Sequence, residues 1–500
     1  MILEGFTSIC TDPFILFLLA VGTIVGIIFG SIPGLTATMA LVMFLPVTYS
    51  MTPIQGISML VALYIGGISG GLISAILLNI PGTPSSVATC FDGKPMAEKG
   101  LGAKALGTGV TFSLVGTLIG VGLLIIISPL LASVAIKFGP FEYCALAIFS
   151  LSLVITLTGK DMVKGLISAI IGAMLATVGL APIDSKMRFT FGSVNLTSGF
   201  KLLVLLIGLF AITEVMKYAE TVRKPMNMTI DESVKIKGVG FSLKEFIQQI
   251  PNAIVSALIG VGIGILPGIG GGVSCMISYT VSKNTSKHPE KYGTGIMDGV
   301  VASETANNGT IGGAMIPLLS LGIPGDAVTA MLLGGLMIHG VSPGPLIFEK
   351  SGSVVYGIFF AMIVSAIMMF VFMILGMKGF IKVLKIPKNY LLPIIIILCC
   401  IGAIGDSNHI FDVWGVLGFG LMAYLLIKAK IPTTPMILGF ILGPTLEENL
   451  RRVSQLISDS SPLSHPIFIV FLIATVIVVG FSVRSNLKEA KANPLVEEEV

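Results

Sequence analysis

Charge is scarce in this 500-residue chain. Asp, Glu, Lys and Arg make up 11% of it, hydrophobic residues 54%, and the mean hydropathy is +0.98. Soluble domains carry about 25% charged residues, so the deficit excludes a globule that covers itself with water-compatible surface. Cysteine is sparse as well. Cys10, Cys90, Cys144, Cys275, Cys399 and Cys400 form no C-x-x-C pair and lie in apolar surroundings, which reads as small buried hydrophobes, not as a metal or redox site. The four histidines are dispersed. H-E-x-x-H, G-x-S-x-G and Walker A signatures are absent, which removes the common hydrolase and nucleotide-driven classes and leaves an ion gradient as the natural energy source. No basic segment precedes the first apolar run, so a cleaved signal peptide is not expected. The net charge of +4 reflects loop bias, not a nucleic-acid surface.

What is present is apolar length. Pro13 to Gly30, Val110 to Ile136, Leu202 to Ile212, Val354 to Leu375, Leu391 to Ile404 and Pro466 to Val483 carry almost no charge. A span needs about 20 apolar residues to cross a hydrocarbon core of about 30 Å, with its backbone groups paired internally. The alternation of barrel strands is missing, so the expected fold is an all-α polytopic integral membrane protein of roughly 10 to 14 transmembrane segments. Sixty glycines accompany these runs. The G-x-x-x-G spacing recurs at Gly26/Gly30, Gly66/Gly70, Gly67/Gly71, Gly116/Gly120 and Gly260/Gly264, where small residues let helices approach closely.

The most polar interruption runs from Lys217 to Glu245 and holds Lys217, Arg223, Lys224, Lys235, Lys237 and Lys244 beside Glu220, Asp231, Glu232 and Glu245. It reads as a cytoplasmic loop. The expected division is a first transmembrane repeat over 1–216, a polar central loop over 217–250, a second repeat over 251–450, and a last span with a charged tail over 451–500. Lys378, Lys382, Lys385 and Lys388 mark a second basic loop on the same side. The opening residues carry Glu4 and Asp12 but no Lys or Arg, which favours an external N-terminus.

The two halves resemble each other. Gly26-Ile-Ile-Phe-Gly30-Ser-Ile-Pro33-Gly34 aligns with Gly260-Val-Gly-Ile-Gly264-Ile-Leu-Pro267-Gly268. Gly66, Ile68, Gly70, Ile73, Leu78, Ile80, Pro81 and Gly82 align with Gly309, Ile311, Gly313, Ile316, Leu321, Ile323, Pro324 and Gly325. Two matches in the same order point to a tandem repeat. Each half then holds two Pro-Gly breaks inside apolar sequence. A lone Pro-Gly reads as a kink, but paired broken helices in corresponding repeats are the best sequence pointer to a transporter site. Each following half-helix would aim its free N–H groups at an anion such as a carboxylate.

Polar residues gather at the breaks. The expected substrate contacts are Pro33, Gly34, Thr36 and Thr38, then Gly82, Thr83, Ser85 and Ser86, then Gly268, Gly270, Gly271 and Ser274, with Gly325 at the fourth break. The densest polar run in apolar sequence supplies Ser303, Glu304, Thr305, Asn307 and Asn308. With Asp326 and Thr329 it forms the expected ion-coupling set, a possible Na⁺ or H⁺ site of oxygen ligands. The plainer readings stand beside these: a back-bond to its own helix for each hydroxyl, a water-facing loop-end carboxylate for Glu304, and a helix cap for Asp326. Glu142, Glu214 and Asp406 fall near span ends and read as interfacial. No catalytic residue and no bound cofactor are expected.

The run Gly30 to Thr38, Tyr64-Ile-Gly-Gly-Ile-Ser-Gly-Gly71, Asn79-Ile-Pro-Gly-Thr-Pro-Ser-Ser86 and Phe91-Asp-Gly-Lys-Pro-Met-Ala97 resembles the TctA-type large membrane subunit of tripartite tricarboxylate transporters. So do Leu266-Pro-Gly-Ile-Gly-Gly271, Ala302-Ser-Glu-Thr-Ala-Asn-Asn-Gly309, Leu321-Gly-Ile-Pro-Gly325 and His339-Gly-Val-Ser-Pro-Gly-Pro345. The resemblance extends from about residue 13 to about residue 450. It implies a multi-pass carrier of the prokaryotic cytoplasmic membrane, working with a small TctB-type membrane subunit and a TctC-type extracytoplasmic binding protein. It also implies uptake of a citrate-like or other carboxylate driven by an ion gradient, typically Na⁺. The rival readings are a stand-alone secondary transporter of another organic anion and an intramembrane hydrolase, which would need two facing acidic residues.

Overall fold

In hydrocarbon every backbone N–H and C=O must find its partner within the chain, so the long apolar runs form helices. The computed structural model describes residues 2–157, 161–221, 238–384, 388–407, 409–457 and 461–492. These are overwhelmingly helical, and the strands among them are one antiparallel pairing of Gly179–Leu180 with Met187–Arg188. The protein is an all-α polytopic membrane protein. Eight described helices are long and apolar enough to cross a bilayer, accompanied by five apolar helices of 10–17 residues. The sequence estimate of 10 to 14 segments treated each apolar run as a span. Some runs instead end early at a Pro-Gly break and leave short helices such as Ala37–Ser50 and Ala327–Ile338. Arg223, Lys224, Asp231, Glu232, Lys235, Lys237, Lys385 and the tail residues 493–500 lie outside the described residues, as do the side chains of Lys388 and Asp406.

The chain forms two compact units, and each draws on both sides of the polar stretch at 217–250. The first joins Met1–Ala135 to Leu206–Gly420; the second joins Ile136–Leu205 to Leu421–Val500.

In the first unit, glycine decides which helices touch. Asp12 caps Pro13–Ser31 by accepting the Phe14 N–H at 2.9 Å, with proline at the first helical position, where its missing donor does no harm. That helix lies along Pro53–Leu78. A Cβ on Gly26 would fall 2.5 Å from the Leu63 carbonyl oxygen, and one on Gly30 would collide with the Gly67 carbonyl. Gly66 and Gly70 meet the backbone of Thr23 and Ile27 in return. Leu243–Gly264 lies along Met297–Leu321 in a similar way: a Cβ on Gly313 would fall 2.5 Å from the Val261 oxygen, and one on Gly264 2.7 Å from the Thr310 oxygen. The Gly116/Gly120 pair of Gly102–Ala135 packs on Thr305 and Gly309. The G-x-x-x-G stripes are therefore packing surfaces, and removing side chains there brings backbones into contact. Met297–Leu321 is too polar to count among the eight spans, yet every residue from Gly299 to Ser320 is buried. It is a central helix sheathed by others.

The second unit packs Pro140–Leu157 and Met162–Ala176 against Thr434–Leu456 and Pro466–Ala492. Glycine sets the approach again, since a Cβ on Gly172 or Gly439 would strike the facing backbone at Met436 or Ala169. Glu142 is buried, not interfacial: Gly139 donates its N–H to Oε2 at 2.9 Å and His465 Nδ1 lies 2.9 Å from Oε1. Arg188, beside the short strand pair, grips Glu447 through both guanidinium nitrogens, and Arg451 reaches Glu447 at 2.8 Å.

Candidate functional site

Each Pro-Gly motif ends one helix of the first unit and starts another. Pro13–Ser31 closes at Ile32, the chain turns through Gly34 at φ 84°, and Thr36 opens Ala37–Phe44 by accepting the Met39 N–H at 3.3 Å. Pro53–Leu78 stops at Asn79 in the left-handed region, φ 58°, a conformation asparagine tolerates better than most residues. Ser86 Oγ then accepts the Thr83 N–H at 3.3 Å and donates to the Thr83 carbonyl at 2.9 Å, opening Val87–Met96. Leu243–Gly264 gives way to Gly270–Thr285 across Gly268 and Gly270, both left-handed. Met297–Leu321 stops at left-handed Gly322, and Asp326 caps Ala327–Ile338.

The breaks meet one another. Gly268 donates its N–H to the Gly325 carbonyl at 2.8 Å, tying the third break to the fourth. Gly82 abuts the Gly30 carbonyl so closely that any side chain would collide, which ties the second break to the first. Crosswise contacts complete the junction. Gly270–Thr285 packs on Pro84–Ser86, and Ala327–Ile338 packs on Ala37–Phe44.

Among the expected ion-coupling residues, Glu304 is wholly buried in the middle of Met297–Leu321, which excludes a loop-end carboxylate in water. Its partners are neutral donors. Thr89 gives its hydroxyl to Oε1 at 2.5 Å, Ser113 gives its own to Oε2 at 3.1 Å, and the Asn308 amide lies 3.5 Å from Oε2. Asn308 Nδ2 also donates to Ser113 Oγ at 2.9 Å, and Ser69 Oγ donates to Asn308 Oδ1 at 2.7 Å. A polar chain thus runs from Pro53–Leu78 through Met297–Leu321 to Val87–Met96 and Gly102–Ala135. Thr89 Oγ1 is also 3.1 Å from Ser303 Oγ. No group of three His, Cys, Asp or Glu able to hold a metal ion occurs among the described residues. The oxygens here suit a monovalent cation or a proton.

Asp326 takes up the cap. Its Oδ1 accepts the Thr329 N–H at 2.7 Å, Thr329 Oγ1 accepts the Asp326 N–H at 2.8 Å, and Tyr64 gives its hydroxyl to Oδ2 at 2.8 Å. Asp326 and Glu304 share none of these partners, so the geometry offers no facing carboxyl pair of the kind a hydrolase would use. Of the expected substrate contacts, Thr38, Gly82, Thr83, Ser85, Ser86, Ser274 and Gly325 are buried, whereas Gly34 is exposed. Ser274 and Ser303 back-bond to the Gly271 and Val300 carbonyls, the plainer reading for a helical hydroxyl, and Ser274 also pairs with Thr310 at 2.6 Å. Thr305 Oγ1 and both polar atoms of Asn307 are buried without a partner.

Sequence reasoning missed Tyr64, Ser69, Thr89, Ser113 and Asp92. Asp92 is wholly buried on Val87–Met96, where Oδ1 accepts the N–H groups of Gly293 at 2.9 Å, Gly295 at 2.7 Å and Ile296 at 3.0 Å. Tyr279 donates to its Oδ2 at 2.8 Å. It anchors the approach to the Glu304 helix. Tyr64 and Asp92 stand inside two of the motifs that carried the family resemblance, and that was their one available signal.

The comparisons with known proteins agree with this geometry. The model of the tripartite tricarboxylate transporter TctA family matches residues 16–438. An uncharacterised 52.8 kDa protein of Agrobacterium vitis, from the TAR-I ttuC' 3' region, is 33% identical over 478 residues, covering 93% of each chain. A second uncharacterised Agrobacterium vitis protein, from the TAR-II ttuC' 3' region, is 34% identical over 202 residues, covering 39% of this chain and 83% of its own length. No solved structure matches the chain. With a match across most of its length, a multi-pass helical fold and these converging breaks, the chain belongs to the tripartite tricarboxylate transporter TctA family.

Proposed function

We propose that this chain is the permease subunit of a binding-protein-dependent importer that carries a small carboxylate across a prokaryotic cytoplasmic membrane, driven by a Na⁺ or H⁺ gradient. The observation that carries the reading is the meeting of four helix breaks beside a buried carboxyl, Glu304, served by neutral donors. Half-helix N-termini suit an anion and buried oxygens suit a cation, so one junction offers both halves of a symport. The two halves act as a tandem repeat, with capped breaks at Thr83 and Asp326 as counterparts. A small membrane subunit and an extracytoplasmic binding protein complete the system, the latter delivering the substrate. The test is reconstituted uptake of a panel of di- and tricarboxylates with the cognate partners under imposed Na⁺ and H⁺ gradients. Gradient-dependent accumulation of at least one supports the reading; accumulation indifferent to both gradients contradicts it.

A further inference from the structure

Two long helices of the first unit end alike. Pro53–Leu78 stops at left-handed Asn79 and Met297–Leu321 at left-handed Gly322. Tyr64 and Asn307 stand the same number of residues before those stops, and Thr83 and Asp326 the same number after them. Each of the two inner residues serves the cap of the opposite helix. Tyr64 closes the Asp326 cap with its hydroxyl, and with the Thr329 N–H on Oδ1 both oxygens of that carboxylate are engaged.

Asn307 faces the other cap and finds nothing. Its Oδ1 and the Cβ of Ser85 each lie 2.8 Å from the point a Cβ on Gly271 would occupy. It is 1% exposed, and neither Oδ1 nor Nδ2 has a hydrogen-bond partner. A buried amide left unpaired at both ends is unfavourable, and such groups are normally satisfied by a ligand, water or ion. The two caps also differ in charge. Asp326 would repel an anion, whereas Thr83, Ser85 and Ser86 offer hydroxyls at the positive end of a helical run that continues through Met96. The missing side chain at Gly271 keeps the space between Asn307 and Ser85 open.

We infer, resting on the carrier reading above, that the Thr83–Ser86 cap is the subsite for one carboxylate group of the substrate. Asn307 Nδ2 and the Ser85 hydroxyl are its donors, and the Asp326 cap does not take the anion. Asn307 thereby moves from the ion-coupling set to the substrate contacts.

The test is equilibrium binding of labelled citrate and succinate, and of labelled Na⁺, to the purified full-length chain and to its Asn307→Asp and Gly271→Ala variants. Asn307→Asp replaces a donor by a like charge, and Gly271→Ala fills the space between Asn307 and Ser85. Each is expected to weaken carboxylate binding at least about tenfold, the usual effect of losing a hydrogen bond to a charged group. Should Asn307→Asp not purify as folded protein, Asn307→Ser is judged by the same criterion. Carboxylate affinity unchanged in both variants overturns the subsite and leaves the carrier reading standing. Loss of Na⁺ binding with carboxylate binding intact assigns the amide to a cation and overturns it as well. A wild-type chain that binds neither probe, alone or with its binding protein, overturns both readings together.

Discussion

Thr89 donates its hydroxyl to Glu304 Oε1 at 2.5 Å, joining the helix that follows the second Pro-Gly break to the buried carboxyl of the central helix. Any movement of the half-helix must stretch or carry that bond. Thr89→Val keeps the shape and removes the donor. We expect a loss of about 1–3 kcal/mol, the usual effect of leaving a buried polar group unsatisfied, together with a lower rate of coupled uptake. Thermal denaturation and transport in proteoliposomes, run on the same preparation, check both.

The Asp326 cap separates stability from charge. Asn caps helices as well as Asp does, whereas Ala loses about 0.5–2 kcal/mol. Asp326→Asn is therefore expected to keep the melting temperature and impair uptake, while Asp326→Ala lowers both. If Asp326→Asn transports normally, the carboxylate is a cap and nothing more.

These two residues show what the sequence makes legible. Apolar length gave the helices, and proline with glycine or asparagine gave their stops, because both are local properties of the chain. Glu304 was visible because an acidic residue in apolar sequence is conspicuous. Thr89, Ser113 and Ser69, which serve Glu304 directly or through Asn308, were not, since hydroxyls in helices are ordinary and the contacts span long stretches of chain. The polarity of Met297–Leu321 misled in the other direction: Lys291 and Asp298 just before Glu304 suggested water, yet neighbouring helices bury the whole run.

Asp92 holds three backbone N–H groups at the approach to the Glu304 helix. Asp92→Asn turns one acceptor face into a donor and leaves some of those groups unpaired. We expect about 2 kcal/mol of destabilisation or more, and faster amide hydrogen exchange at Gly293, Gly295 and Ile296. Exchange unchanged at all three would show that the loop holds itself.

The glycine stripes predict steric effects of one sign. Gly30→Ala forces a methyl group into the Gly67 carbonyl, and Gly264→Ala forces one to 2.7 Å from the Thr310 oxygen. Overpacking of this kind is destabilising by about 1–3 kcal/mol. Gly122→Ala, which meets no atom within 4 Å, should be neutral. Comparative thermal unfolding in one detergent distinguishes the three.

The central claim is that one junction couples an ion to a carboxylate through Glu304. It is tested most directly by uptake of a labelled carboxylate into proteoliposomes holding this chain with its small membrane subunit and binding protein, wild type beside Glu304→Gln, with and without an imposed Na⁺ or H⁺ gradient. The account predicts gradient-dependent accumulation by the wild type and its loss in a Glu304→Gln protein that still enters the membrane folded. Equal accumulation by the two proteins, or accumulation that ignores both gradients, would contradict it.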